Sequence, residues 1–315
     1  MSRTVAALGE IGLIQRAARH LGAPRREVRV GIGDDAAVLP WTRDAYLLFA
    51  SDMLVEGVHF TLQRGQTPNP HDRGQTPARW IGWKALACNV SDIAAMGGMP
   101  TYAVVSLGVP PSTPVRVTDG LAQGLARCAR RFGVAVVGGD TVRAPQLVID
   151  VAILGTVPVK HLVLRSGAKP GDVVFVTGRL GGSLVSGRHA TFMPRVVQAQ
   201  WLVRHVPVHA MMDLSDGLAS DLWQLARASR VTIDIEERAI PVSRAARSVQ
   251  HALMDGEDYE LLFAVPAQAA NKVPRSIGRV PVTPIGLVTA RGTNVRLATV
   301  GGRMIRMAPH GFKHF

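Results

Sequence analysis

The chain has 315 residues, of which 47% are hydrophobic and 5% aromatic. This length exceeds one ordinary core and suits two domains, and the hydrophobic content excludes an intrinsically disordered chain. The formal net charge of +13 favours polyanionic partners, but the basic residues are scattered and carry no nucleic-acid-binding signature, so nucleic acid is not an expected partner.

Alternating helix and strand patterns follow in both halves of the chain. The first half predicts helices over 8–21, 78–96 and 115–132, and strands over 27–32, 46–50, 101–109, 134–137 and 146–157. The second half predicts a helix over 217–229 and strands over 172–177, 231–235, 259–265 and 284–288. A turn-rich stretch at 158–171 separates the halves. We therefore expect an α/β (α+β) fold with domains 1–157 and 158–315.

The cysteines and the apolar runs indicate the compartment. Cys88 and Cys128 are too few for a disulfide framework and lack zinc-site spacing. No apolar run reaches the ~18 residues that a transmembrane helix needs, and residues 1–10 lack a signal-peptide pattern. We expect a cytoplasmic protein without a membrane partner.

A short tandem copy interrupts the first half. Arg-Gly-Gln-Thr-Pro occurs at 64–68 and again at 73–77. A segment this rich in Gly and Pro is not a core element. We interpret 61–77 as a surface insertion, with a lid over a neighbouring site as the alternative.

Aspartates follow the ends of several apolar runs. Asp34 and Asp35 are adjacent in Gly-Ile-Gly-Asp-Asp-Ala-Ala-Val at 31–38, and the same kind of turn recurs at Ser51-Asp52, Ser91-Asp92, Gly139-Asp140, Asp213-Leu214-Ser215-Asp216 and Glu257-Asp258. Each acid alone fits a helix cap or a turn. Their number exceeds what turns require, and a hard cation with oxygen ligands would offset their repulsion. We therefore expect the acids to converge on one magnesium cluster.

Other site patterns are weaker. Gly31 and Gly33, with Asp52 about twenty residues on, match the loose dinucleotide fingerprint, but two aspartates inside that loop would repel a pyrophosphate. This disfavours a Rossmann dehydrogenase, and the Walker A and kinase catalytic-loop sequences are absent. His59 and Arg165 are either surface side chains or phosphate contacts, with the arginine able to bind bidentately.

Seven motifs resemble those of thiamine-monophosphate kinases, in the same order and over nearly the whole chain. They occupy 31–38, 51–60, 84–97, 137–141, 165–172, 213–217 and 255–261, and 311–315 resembles the C-terminus of the family. The resemblance implies ATP-dependent conversion of thiamine monophosphate to thiamine diphosphate. It also implies the fold of aminoimidazole ribonucleotide synthetase, in which the N-terminal domain forms a homodimer and a C-terminal α/β domain covers the nucleotide.

The resemblance further implies particular site residues. Several Mg²⁺ ions would be held by Asp35, Ser51, Asp52, Asp92, Asp140, Asp213 and Asp216. ATP would contact Gly139, Asp140, Arg165 and Ser215, and thiamine monophosphate would contact His59, Glu257 and Phe312. Because the acceptor is a phosphate monoester, mostly dianionic at neutral pH, we expect direct in-line transfer without a catalytic base.

The chain departs from the family pattern at three places. Ala50 stands where a second hydroxyl residue is usual before Asp52, Phe312 replaces a hydroxylated or larger aromatic residue, and 61–77 is longer than the usual connection.

Two alternatives stay open. One is a sister enzyme: aminoimidazole ribonucleotide synthetase, selenophosphate synthetase or the hydrogenase-maturation dehydratase. The run Val55–Phe60 favours the thiamine enzyme, and no cysteine precedes Cys88 to serve a selenium enzyme. The other is a basic nucleic-acid- or partner-binding protein with a degenerate site, which the intact acids oppose.

Overall fold

The computed structural model describes residues 4–62 and 75–312. Its helices are α1 (Val5–Leu21), α2 (Ala78–Ala95), α3 (Val115–Phe132), α4 (Ser183–Ser186), α5 (Arg188–Thr191), α6 (Val196–His205), α7 (Leu218–Ser229), α8 (Val249–Met254) and α9 (Ala267–Ala270). Its strands are β1 (Ala37–Pro40), β2 (Ala45–Val55), β3 (Thr61–Leu62), β4 (Gln75–Thr76), β5 (Met99–Val109), β6 (Ala135–Arg143), β7 (Val148–Pro158), β8 (Asp172–Thr177), β9 (Ala210–Asp213), β10 (Val231–Glu236), β11 (Leu261–Pro266), β12 (Ser276–Ile277), β13 (Val280–Arg291), β14 (Asn294–Ala298) and β15 (Met304–Arg306). None of the helices in these ranges is long and apolar enough to cross a membrane.

The N-terminal domain is built on a five-stranded sheet in the order β1-β2-β7-β5-β6. Neighbours are antiparallel except β5 and β6, which run parallel. Side chains alternate along each strand, so Leu48, Leu54, Val151 and Ile153 all lie on the inner, buried face. The outer face, which carries the intervening residues, includes exposed apolar side chains.

Helix α2 lies at the centre of the molecule. It contacts β2, β7 and α3 in its own domain and α5, α6 and β9 in the other. Residues on all sides of it are therefore buried, which explains why its sequence shows no single apolar face. Helices α2 and α3 approach closely because a glycine on each faces the backbone of the other: a Cβ on Gly82 would lie 2.0 Å from the Leu121 carbonyl oxygen, and one on Gly124 2.0 Å from that of Arg79.

The C-terminal domain is built on a second sheet in the order β15-β14-β10-β13-β8-β11-β9, with β12 paired to β13. Its central strands are buried on both faces. On one face Phe175 and Phe263 stack with ring centroids 5.3 Å apart and join the core shared with the N-terminal domain. On the other face Val174 and Leu262 pack in a second core that includes residues of α7. The structure thus confirms the predicted mixed α/β, two-domain fold.

Some predicted elements differ from the structure. The strand predicted over 27–32 is wrong, because this segment forms only isolated bridges from Val30 to Val38 and from Ile32 to Asp34. Gly33, at φ 125°, turns the chain there, and the strand that pairs with β2 begins only at Ala37.

The helix predicted over 8–21 is confirmed as α1, although Gly9 breaks its helical geometry and its residues are exposed or half-buried. Within the predicted insertion, residues 63–74 lie outside the described residues. The flanking strands β3 and β4 pair in parallel.

Candidate active site

Four of the predicted acids meet where the two domains join. Asp35 comes from the turn before β1, Asp92 from the last turn of α2, and Asp213 from the end of β9. One carboxylate oxygen of each lies within 4.8 Å of the others. Asp52, on the inner face of β2, lies beside Asp92. The acidic cluster, as we call Asp35, Asp52, Asp92 and Asp213, therefore draws on three N-terminal segments and one C-terminal strand.

Local hydrogen bonds orient these acids. Ser91 Oγ donates to Asp213 Oδ2 at 2.5 Å and so ties α2 to β9. Asp34 accepts from the backbone N–H of Asp35 at 3.0 Å and from the backbone N–H of Arg165 at 3.2 Å. The two adjacent aspartates therefore have different roles. Asp34 stabilises the turn through hydrogen bonds, and Asp35 lies in the cluster.

Burial of like charges perturbs the whole cluster. Burial raises the pKa of Asp52 to about 6 and that of Asp213 to about 7, with neighbouring carboxylates adding to both shifts. Burial, followed by the charges of Asp52 and Asp213, raises the pKa of Asp92 well above its usual range. Burial also raises the pKa of Asp35, although Arg165 opposes it. The cluster therefore carries more buried negative charge than the nearby arginine offsets.

The donor set of the cluster fits a metal ion. Asp35 Oδ2 is buried and has no hydrogen-bond partner among the residues that the structure describes. A buried carboxylate oxygen without a partner is costly, and carboxylate oxygens are the ligands that hard divalent cations take. Asp35, Asp92 and Asp213 can therefore hold such a cation.

Arg165 and Gln224 connect the cluster to Asp216. Arg165 Nε and Nη2 donate to Asp35 Oδ1 at 3.1 and 2.5 Å, and Nη1 donates to Gln224 Oε1 at 2.7 Å. Gln224 Nε2 in turn donates to Asp216 Oδ2 at 3.2 Å. Asp216 is thus linked to the cluster through two side chains. Sequence reasoning missed Gln224, which lies in α7 eight positions after Asp216.

A second group brings together the predicted thiamine-phosphate contacts. The rings of His59 and Phe312 lie 6.2 Å apart and are tilted by 46°. Lys84 Nζ donates to the His59 carbonyl oxygen at 2.9 Å and forms an ion pair with Glu257. We call His59, Glu257 and Phe312 the acceptor group. Lys84 begins the motif 84–97, but sequence reasoning gave it no role in the site, although a lysine inside the apolar run Ile81–Leu86 was a visible signal.

Backbone contacts join the acceptor group to the segment that follows Asp213. The Glu257 N–H donates to the Ser215 carbonyl oxygen at 2.6 Å, and the Phe312 N–H donates to that of Asp216 at 2.9 Å. Ser215 thus contacts the acceptor group through its backbone. The acceptor group and the acidic cluster are therefore two parts of one site.

Three predicted site residues do not join this site within one chain. Asp140 lies on the outer face of β6 opposite Ser106, and Ser51 lies on the outer face of β2, where its Oγ donates to Asp150 Oδ1 at 3.0 Å. The strand that carries Asp140 is three positions from β2, or about 14 Å at the usual strand spacing. Gly139 faces inwards, and a Cβ there would lie 1.7 Å from the Val105 carbonyl oxygen. Their metal and nucleotide roles stay predictions.

The two domains match known family models. Residues 33–157 match the N-terminal domain of AIR synthase related proteins, and residues 169–297 match the C-terminal domain. The fold and the site between the domains thus define an AIR synthase-related protein.

Individual relatives narrow this class. The chain is 38% identical over 307 residues to the thiamine-monophosphate kinase of Rhodopirellula baltica, covering 91% of this chain and 92% of the relative. It is 33% identical over 317 residues to that of Bacillus subtilis, covering 91% and 94%. A solved structure of AaThiL complexed with AMPPCP and TMP superposes with a TM-score of 0.83 at 30% identity, covering 100% of both chains. The chain belongs to the thiamine-monophosphate kinase family, as its seven motifs predicted.

Proposed function

We propose that this chain transfers the γ-phosphoryl group of ATP to the phosphate of thiamine monophosphate, giving thiamine diphosphate and ADP. The observation that carries the proposal is the junction of the acidic cluster with the acceptor group through the backbone of Ser215 and Asp216. Membership of the family supports the same reaction. The similar structure that is complexed with AMPPCP and TMP supports a nucleotide and an acceptor bound together in such a site.

Mg²⁺ is the cation that we assign to the acidic cluster. The ligands would be Asp35, Asp52, Asp92 and Asp213. Asp216, which Gln224 connects to the cluster, would hold a more peripheral ion. Bound Mg²⁺ supplies electrostatic stabilisation of the charge on the transferred phosphoryl group. The orphaned Asp35 Oδ2 and the raised pKa values of the cluster support this assignment.

The residues of the chain position the reactants for a direct in-line transfer. An oxygen of the acceptor phosphate forms a bond to the γ-phosphorus as the bond from that phosphorus to the ADP oxygen breaks, and ADP leaves with the electron pair. The acceptor oxygen is already ionised at neutral pH, so no side chain has to remove a proton. Arg165 is held by Asp35 and Gln224. Its remaining N–H groups can donate to a nucleotide phosphate. Alignment and electrostatics then supply the rate enhancement.

A homodimer, formed through the outer face of the N-terminal sheet, completes the proposal. That face exposes large apolar side chains on three strands: Phe49, Met53, Tyr102, Val104 and Val142. Exposed apolar patches of this kind mark interaction sites, and Asp140 lies on the same face. In this arrangement Gly139, Asp140 and Ser51 act only in the assembled dimer.

The dimer is tested by measuring the mass in solution of the natural chain and of Val104→Lys, which places a charge at the centre of the apolar face. We expect a dimer for the natural chain and a monomer for the variant. A monomeric natural chain would refute the proposed interface.

The domain division that we propose, 1–157 and 158–315, falls at the end of β7.

The reaction is tested by incubating the chain with ATP, Mg²⁺ and thiamine monophosphate and measuring thiamine diphosphate. Thiamine in place of its monophosphate, and omission of the metal, are the controls. We expect product only with the monophosphate and the metal. ATP hydrolysis without thiamine diphosphate would instead favour a sister enzyme with another acceptor, and phosphorylated protein after ATP alone would refute direct transfer.

A further inference from the structure

Lys84 is a fully buried cation beneath the acceptor group. Its exposed fraction is 0%, and it lies within α2, between apolar residues of the core. Burying an ammonium group is costly unless it is paired and hydrogen-bonded. An apolar residue would fill the same space without that cost, so the contacts of the ammonium group indicate what the lysine does.

All three N–H groups of the ammonium have partners within the described part of the chain. Lys84 Nζ contacts the His59 carbonyl oxygen at 2.9 Å, His189 Nδ1 at 3.4 Å and the Glu257 carboxylate. Burial lowers the pKa of His189 to about 4, followed by the charge of Lys84, so its ring is neutral at pH 7. Nδ1 accepts the bond from Lys84 in the tautomer that carries the proton on Nε2. An ammonium has three donors and no acceptor. Lys84 therefore has no donor left for a substrate, and its role is to orient protein groups.

The loop that carries Glu257 needs such an anchor. Glu257 has φ 52°, a left-handed conformation that is uncommon for residues other than glycine. Ser183 Oγ donates to its carbonyl oxygen at 2.7 Å, and its own N–H bonds to Ser215. These contacts hold the backbone, whereas Lys84 holds the carboxylate through Oε1, with His189 Nδ1 3.5 Å from Oε2. The side chain of Glu257 is 22% exposed, so it stays accessible to a bound acceptor.

We propose that Lys84 is a positioning residue that sets the affinity for the acceptor by orienting the Glu257 carboxylate and anchoring the loop of His59. This inference rests on the proposed function, because it takes the acceptor group as the thiamine-monophosphate site. Lys84 does not touch the substrate. Its loss changes acceptor binding and leaves nucleotide binding unchanged, since its contacts run to the acceptor group and to His189.

The inference is tested with the full chain by calorimetry, which gives the Kd of thiamine monophosphate and of ADP with Mg²⁺. The variants are Lys84→Met, Glu257→Gln and the double variant, with the exposed Lys160→Met as the matched control. We expect Lys84→Met to raise the Kd of thiamine monophosphate at least about tenfold. The Kd of ADP stays within about twofold of its value for the natural chain. Equal weakening of both ligands would show a general structural role and overturn the inference, as would an unchanged Kd for thiamine monophosphate.

The double variant provides a second, independent readout. It removes both charges of the buried pair, so it keeps the comparison usable if Lys84→Met alone does not fold. Because Lys84 acts mainly through Glu257, the Kd of thiamine monophosphate for the double variant is less than about threefold higher than for Glu257→Gln alone. Full additivity of the two changes would overturn the inference. Turnover by the natural chain is measured separately, so a chain that binds thiamine monophosphate without phosphorylating it refutes the proposed function and still decides the role of Lys84.

Discussion

Replacing Asp213 by Asn separates the effect of the acidic cluster on folding stability from its effect on turnover. In the metal-free protein Asp213 is buried near Asp35 and Asp52, and its pKa rises from 3.8 to about 7. The folded protein therefore binds this proton more tightly than the unfolded chain does. The folded state is penalised as soon as the pH exceeds the unfolded value, and the penalty grows until the pH passes the folded value. Asn keeps the shape and can still accept the hydrogen bond from Ser91.

The magnitude follows from the pKa shift of Asp213. Each unit of difference between the folded and unfolded pKa corresponds to about 1.4 kcal/mol. The penalty is then about 2 kcal/mol at pH 5 and about 4 kcal/mol at pH 8. Asp213→Asn removes this dependence on pH. In the absence of metal, we therefore expect the variant to be more stable than the natural chain. The difference in the free energy of unfolding is larger at pH 8 than at pH 5.

The assay is denaturant unfolding at pH 5 and pH 8, with chelator and with excess Mg²⁺. Bound Mg²⁺ stabilises the folded state by mass action, so we expect the natural chain to gain more from the metal than Asp213→Asn does. Turnover of the variant falls at least about a hundredfold because a ligand is lost. The exposed Asp44→Asn is the control and leaves all these values unchanged. A variant that is less stable than the natural chain in chelator at pH 8 would refute the reasoning.

Three further predictions test other parts of the structure. Asp52→Asn nearly abolishes turnover while the circular dichroism spectrum stays that of the natural chain, and normal turnover would show that Asp52 is not a metal ligand. Gly124→Ala lowers the free energy of unfolding by about 1–3 kcal/mol, because the added Cβ would lie 2.0 Å from the Arg79 carbonyl oxygen; an unchanged denaturation midpoint would contradict the close approach of α2 and α3. Deleting 64–72, which removes one copy of Arg-Gly-Gln-Thr-Pro, leaves kcat and KM largely unchanged, whereas a large loss of activity would favour the lid interpretation.

Part of the site could be predicted from local sequence, although Asp52 and Asp140 lie inside β2 and β6 and not at the turns that the sequence predicted. Asp35 precedes β1, Asp92 lies in the last turn of α2, and Asp213 ends β9. Each of these three positions is at an element boundary, which is a local property. The family motifs then indicated which of these turns belong to one site. The strand predicted over 27–32 failed for the opposite reason. Its alternating apolar residues suit a strand, but a strand also needs a partner, and the long partner β2 pairs with Ala37–Pro40 instead.

Three features were decided by the tertiary structure alone. The outer-face position of Asp140 depends on the register of β6 against β5, since a shift of one residue would place it on the inner face. The ion pair of Lys84 and Glu257 joins residues that are 173 positions apart, and Gln224 links Arg165 to Asp216 only because α7 packs beside the segment that carries Arg165.

The sequence by itself determined the mixed α/β, two-domain class, most of the longer helices and strands, and the acids that the structure brings together. These follow from local spacing and turn residues. Which side chains share a buried space, and therefore which charges raise or offset one another, was decided only by sheet register and domain packing. The physical reason is that burial and charge interactions act over a few ångströms in space, whatever the separation along the chain.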